Sequence, residues 1–370
     1  MIRFVRSNAL ALAIASLLLT PFAAQSADPV KIIVGYQPWF AGTTTAIIIR
    51  ATEMWKQHMP PGVQVEFQAS LQGPVIINNM LANKMQIGYL GDMPAIVATT
   101  KEEIADIRMV GVSSYSMGQS CHLLMVRNDA PQFKSPQDAV KWLDGKVVAA
   151  PRGGCTDLFF RKVMKSENIT PKEYQAQGAE TIVTNFRAGK LDGAVLPDFP
   201  MSYINNMVGQ GVARLVATGF TYKIPDAAII VMRKDFMDRN PQIAKAWLKT
   251  EMAAQQYMLD PKNWDKIAEM AAAQNQGYTK RQTWVSNFAA LPPEQGGGPV
   301  RQEFRFVFDD DVRAKILDGY KFLKEIKVID VDAPREGAID DRLAREVAKE
   351  AKVTLPLGQI AGESIERAPK

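Results

Sequence analysis

Histidine and cysteine are nearly absent: His58 and His122 are the only imidazoles, and Cys121 and Cys155 the only thiols, in 370 residues. A Ser-His-Asp triad would have to use one of those two rings, and neither accompanies a G-x-S-x-G elbow. His58 precedes Pro60-Pro61 and His122 begins a strand-like run, so both read as packing or surface residues. Metal spacings such as H-E-x-x-H and paired C-x-x-C are missing. The acidic run Asp309-Asp310-Asp311 lacks the alternating ligands and glycine of a calcium loop and reads as a helix start. Neither G-x-G-x-x-G nor G-x-x-x-x-G-K-[ST] occurs, which excludes nucleotide binding through those loops. No cofactor and no metal is expected. The net charge is only +5 with both signs interspersed, so nothing points to nucleic acid.

What is present begins with the N-terminus. Arg3 and Arg6 precede an apolar run over residues 9–19, and small residues follow up to Ala27. This is the pattern of a secretory signal peptide over residues 1–27, with cleavage near Ser26-Ala27. The run is short for a membrane span, and no later stretch approaches 18 apolar residues. An exported, periplasmic protein is expected. In that compartment two cysteines either pair as a disulfide or stay as buried thiols, and spacing alone leaves both open.

From residue 30 onward β-type runs alternate with helical runs, which predicts parallel strands joined by crossover helices. Strands are expected at 30–36, 63–69, 85–90, 107–114, 122–127, 146–151, 192–197, 213–219 and 228–233. Helices should start at Thr43 or Thr44, Gly73, Met93, Ser135-Pro136 and Cys155, with another over 199–208. The runs at 122–127 and 228–233 are placed to carry the chain out of one strand–helix block and back again. The fold class is therefore α/β with two lobes, each a mostly parallel sheet flanked by helices, and two crossing strands as the hinge. Lobe 1 begins at 28–120, lobe 2 spans 121–226, and 227–357 returns to lobe 1 with C-terminal helices. The segment 292–299, PPEQGGGP, reads as a flexible break, and 358–370 as a mobile tail.

Four corners at strand ends could face one cleft. Gly91-Asp92 follows one strand and opens a helix whose bare N-terminus would offer N–H groups. Gly154-Cys155-Thr156 is a second strand-to-helix turn able to aim N–H groups at an anionic headgroup. Asp198-Phe199 occupies a third. Gln37, Trp39 and Phe40 occupy the fourth, with two aromatics suited to an apolar ligand wall.

These residues resemble the periplasmic substrate-binding proteins of ABC importers for alkanesulfonates, taurine and nitrate. The likeness rests on Gly35-Tyr36-Gln37, on residues 88–94 (GYLGDMP), on residues 189–194 (GKLDGA) and on the helix start at Gly154-Cys155-Thr156. It implies a type II two-lobe binding fold that closes on a small molecule and delivers it to a permease in the inner membrane, with no catalysis. A monomer is expected. By position it implies ligand contacts from Gln37, Gly91, Asp92, Cys155, Thr156 and Asp198. Cys155 stands where such proteins carry a hydroxyl, and Trp39-Phe40 where they carry small residues. Three carboxylates at the cleft, Asp92, Asp157 and Asp198, would oppose a bare anion. The expectation is therefore a taurine-like zwitterion, with a pyrimidine or aromatic acid, or a related pyrimidine synthase, as the alternatives.

Overall fold

A computed structural model describes residues 30–70, 72–198 and 211–370. The N-terminal signal segment, Phe199 and the helix expected over 199–208 lie outside the described residues. The first four strands are β1 (Lys31–Tyr36), β2 (Gln64–Ala69), β3 (Ile87–Gly91) and β4 (Ile107–Ser116). The next five are β5 (Leu123–Arg127), β6 (Val147–Ala150), β7 (Glu173–Ala176), β8 (Gly193–Leu196) and β9 (Ala213–Thr218). The last are β10 (Asp226–Arg233), β11 (Val300–Phe304) and β12 (Gly358–Ala361). They form a seven-stranded sheet in the order β12-β11-β4-β10-β3-β1-β2 and a five-stranded sheet in the order β7-β6-β8-β5-β9. In the first sheet β10 runs against β3 and β4; in the second β5 runs against β8 and β9. Each sheet thus contains one reversed strand entered directly from the other sheet, β10 in the first and β5 in the second, and the first sheet has a further reversed strand, β11, between β4 and β12.

Helices cover both faces. On lobe 1 they are α1 (Thr44–Thr52), α2 (Gly73–Leu81) and α3 (Asp92–Thr99), and on lobe 2 α4 (Pro136–Trp142), α5 (Cys155–Glu167) and α6 (Ala179–Arg187). The short α7 (Gly219–Tyr222) sits at the return crossing, and α8 (Lys234–Arg239) follows β10. The remainder are α9 (Pro241–Leu259), α10 (Trp264–Ala273), α11 (Lys280–Phe288), α12 (Asp310–Glu325) and α13 (Arg342–Glu350). Local chemistry explains the starts. Ser135 accepts the Asp138 N–H at α4, Thr279 and Gln282 form a capping box at α11, and Asp309 caps α12. At α1 the expected cap is not used. Thr43 stands at the N-cap position, but its hydroxyl turns to the Gln37 and Phe40 carbonyls and closes the preceding loop instead.

One apolar core lies between the first sheet and α1, α9, α10 and α11. Another lies on the opposite face and runs without a break into lobe 2, joining Met93 and Ile96 of α3, Ile316 and Leu323 of α12, and Leu158 and Phe159 of α5. The chain crosses between sheets at 117–122 and 219–225. There Gly118, at φ 69°, lies so close to Gly219 that a side chain would overlap its Cα and the Ile224 carbonyl. The Gly219 N–H donates to both the Gly118 and the His122 carbonyls.

Two expectations about the C-terminal third are corrected. Residues 358–370 are not a tail: β12 pairs with β11 at the sheet edge, and Ala368 is buried. Nor is 292–299 a flexible break. Gly296 and Gly297 are buried, Thr218 donates to the Gly296 carbonyl, and the Gly298 N–H reaches Gln119 at 2.9 Å. The glycines here permit close backbone approach, which composition alone does not distinguish from flexibility.

Behind the loop after β1 lies a buried acid with no cation paired to it among the described residues. Glu251 accepts from Tyr89 at 2.8 Å and Gln255 at 2.9 Å, and Trp247 donates to the Tyr89 hydroxyl. Burial raises the Glu251 carboxyl to about 7. The folded state therefore holds this proton more tightly than the unfolded chain does. Stability should fall as pH rises from about 4.5 through 7, by roughly 3 kcal/mol from this group. Thermal melts of Glu251→Gln should show a flatter pH dependence between pH 5 and 8 than the parent. An unchanged slope would contradict the assignment.

Candidate functional site

The residues at the first-lobe corners come together. The Gln37 carbonyl accepts from the Phe40 N–H at 3.0 Å and the Thr43 hydroxyl at 2.7 Å, folding the loop back on itself. Phe40 is buried, and a methyl on Gly91 would meet its ring at 3.9 Å. Trp39 is half-buried. Phe40 is thus a plug under Gly91, and Trp39 is the more accessible aromatic. The α3 N-terminus offers less than expected. The Met93 N–H is taken by the Asp92 side chain at 2.7 Å, and Pro94 has no N–H to give.

On the second lobe the arrangement is better suited to an anion. The turn after β6 passes through Gly153 at φ 71° and Gly154 in extended conformation into α5, whose first turn has no side-chain cap. Uncapped N–H groups at the start of a thirteen-residue helix carry the positive end of its dipole. Thr156 is buried, with its hydroxyl 3.4 Å from the Pro151 carbonyl. Cys155 is bonded to Cys121, and closing a loop of 34 residues restrains the unfolded chain by roughly 4 kcal/mol in the loop-entropy picture.

The three carboxylates do not face the cleft as free charges, and the argument built on them is overturned. Asp92 is 1% exposed and pairs with Lys315 of α12, Nζ to Oδ2 2.8 Å. Asp157 is fully buried; it accepts from Arg161 at 2.6 Å, from the Tyr174 hydroxyl at 2.6 Å and from the Gly153 N–H at 2.9 Å. Asp198 is 1% exposed and forms an ion pair with Arg301 of β11. Arg301 also donates to the Gln119 and Ser286 carbonyls, and the Asp198 N–H donates to Ser120. Burial raises the Asp198 carboxyl above its ordinary value, against the opposing pull of the Arg301 guanidinium. Each carboxylate meets its own cation, and the cleft gains no net negative charge from them.

Sequence reasoning missed Lys315, Arg301, Arg161 and Tyr174. Lys315 had a readable signal, because it falls among the buried positions Val312, Ile316, Gly319 and Tyr320 of α12, and a lysine on an apolar helix face needs a buried partner. Arg161 stands four residues after Asp157, a helical neighbour. Arg301 had no such signal. His122 is fully buried, stacks on Phe159 and makes an Nδ1 contact of 3.0 Å with the Ile224 carbonyl; burial lowers its pKa to about 3. It packs as a core residue. A cavity of about 370 Å³ between α1 and α10, lined by Arg50, Lys266 and Glu269, shares no residue with these corners.

The NMT1-like family model matches residues 25–272. The taurine-binding periplasmic protein of Escherichia coli strain K12 is 23% identical over 329 residues, 82% of this chain and 89% of that protein. The periplasmic aliphatic sulphonate binding protein SsuA from Escherichia coli has the same fold, with TM-score 0.66 at 16% identity over 86% of this chain and 99% of that one. The periplasmic nitrate-binding protein NrtA from Synechocystis PCC 6803 gives TM-score 0.65 at 16% identity over 88% and 90%. Arg301 and Lys315 both lie beyond the residues the family model matches.

Asp198→Ala should leave Arg301 buried without a counter-charge and lower stability by about 3–5 kcal/mol. The double variant Asp198→Ala/Arg301→Met should lose less than the single one. Urea unfolding measures both. A single-variant loss near zero would contradict the pairing.

Proposed function

The chain belongs to the NMT1-like family, and we propose that it is the exported solute-binding component of an ABC importer. It works as a periplasmic monomer that captures a small organic solute between two lobes and passes it to a membrane permease. The solute carries an acidic headgroup of the sulfonate class, taurine included. Its headgroup meets the N-terminus of α5 at Gly154, Cys155 and Thr156, and its body lies toward Gln37, Trp39 and Gly91.

The observation that carries this reading is the uncapped α5 N-terminus, with Asp92, Asp157 and Asp198 each already paired to a cation. An anion placed there gains dipole and N–H contacts, and none of those three carboxylates meets it as a free charge. An amine on the solute is tolerated but has no free carboxylate to demand it. The role is binding, not catalysis: the solute stabilises the closed arrangement by its higher affinity for it. Among the described residues no helix is long and apolar enough to cross a membrane.

A melting screen over taurine, alkanesulfonates, nitrate, pyrimidines and aromatic acids tests the reading. A solute at about 100 times its Kd adds ~2.7 kcal/mol. Taurine or an alkanesulfonate should raise the Tm. Stabilisation by a pyrimidine with none by any sulfonate would contradict the proposal.

A further inference from the structure

The first residue of α5 is covalently tied to the crossing between the sheets. Cys155 opens that helix and is bonded to Cys121 in the 117–122 crossing, with Cα atoms 6.1 Å apart. On the crossing side, Cys121 is buried and its N–H is held at 2.7 Å by Asp226, the first residue of β10 in the other sheet. Asp226 also accepts from the Ser120 N–H and the Ser116 hydroxyl, which fixes the crossing around it.

On the helix side, noncovalent contacts hold α5 further in, where Phe159 stacks on His122 of the crossing and Asp157 accepts from Tyr174, while the turn that leads into Cys155 is held less firmly. Arg152 is exposed, and a methyl on Gly154 would meet nothing nearer than 3.8 Å. The Gly153 N–H bonds to Asp157 within the same turn, and the Thr156 hydroxyl reaches Pro151 only at 3.4 Å. The disulfide therefore adds, at the first residue of α5, a covalent link to the path from Asp226 in the first sheet through the crossing.

We propose that Cys121 and Cys155 are positioning residues for solute capture. Their bond holds the α5 N–H groups in place relative to the crossing, so that breaking it loosens the site before it unfolds the lobe. The proposal rests on the reading that α5 meets the solute. Reduction by a dithiol transfers two electrons and two protons: the S–S bond becomes two thiols and the reagent leaves as its cyclic disulfide. A bond that acted only as a staple would restrain the unfolded chain and leave the folded site unchanged.

Hydrogen exchange on the solute-free protein, well below its Tm, separates these roles. It compares the oxidised form, the dithiothreitol-reduced form and the Cys121→Ser/Cys155→Ser variant. Exchange over 151–158 should be at least about tenfold faster in both thiol-free and reduced forms, with α9 unchanged. Titration with taurine and ethanesulfonate should then show affinity at least about tenfold weaker than in the oxidised protein. Unchanged exchange over 151–158, or uniformly faster exchange across both lobes, overturns the positioning role. Faster local exchange with undiminished probe affinity overturns its link to capture. If the oxidised protein binds neither probe while local exchange still rises, the sulfonate reading fails and the positioning of α5 is supported.

Discussion

The pairing of Asp198 with Arg301 is the constraint on which the lobe junction depends. Asp198 lies two residues past a strand of the second sheet, Arg301 sits in β11, next to the edge strand of the first, and both are almost fully buried. A buried guanidinium or carboxylate without its partner costs several kcal/mol, a large share of a domain's net stability. The backbone around the pair is organised to avoid this, with Ser120, Gln119 and Ser286 all bonded to one residue or the other. The same logic recurs at Asp92 and Lys315. Both cations come from the C-terminal third, so that part of the chain is an electrostatic component of the cleft rather than an appendage.

This placement bears on how the lobes can move. The Asp198–Arg301 pair lies beside the crossing, where Asp198 bonds to Ser120, so a hinge motion can pivot there without separating the charges. Away from the crossing, α12 meets lobe 2 through the shared apolar core and through Lys162 and Asp318, an exposed pair at 2.6 Å that contributes little and breaks easily. The Gly118–Gly219 contact brings the two crossing backbones together where a side chain on either would force them apart. A buried ion pair and close backbone contact at the pivot suit a molecule whose solute shifts an equilibrium between open and closed arrangements.

Much of the fold was legible in the sequence. Alternating runs, the Ser135-Pro136 start and the acidic start of α12 have local physical causes, and local causes can be read from neighbouring residues. The corners Gln37–Phe40, Gly91 and Gly154–Thr156 were placed at strand ends for the same reason. What was not legible was long-range. The charge of Asp198 looked available because its partner is 103 residues away, and Asp92 has its partner on a helix of the C-terminal third. The pairing of Cys121 with Cys155 needed coordinates, since spacing does not report distance. The glycines of 292–299 were read for flexibility when their use was close approach. Lys315 was the exception, a long-range partner announced by its position on an apolar helix face.

The central claim is that Asp92, Asp157 and Asp198 are each neutralised by an internal cation, leaving an anion-accepting helix start. Calorimetry with three probes that share a two-carbon chain and differ in their charged groups tests it most directly: ethanesulfonate, taurine and ethylamine. The account predicts binding of ethanesulfonate and taurine and none of ethylamine at neutral pH. Binding of ethylamine in preference to ethanesulfonate would contradict it, because it would mean that at least one of the three carboxylates is free to meet a cation.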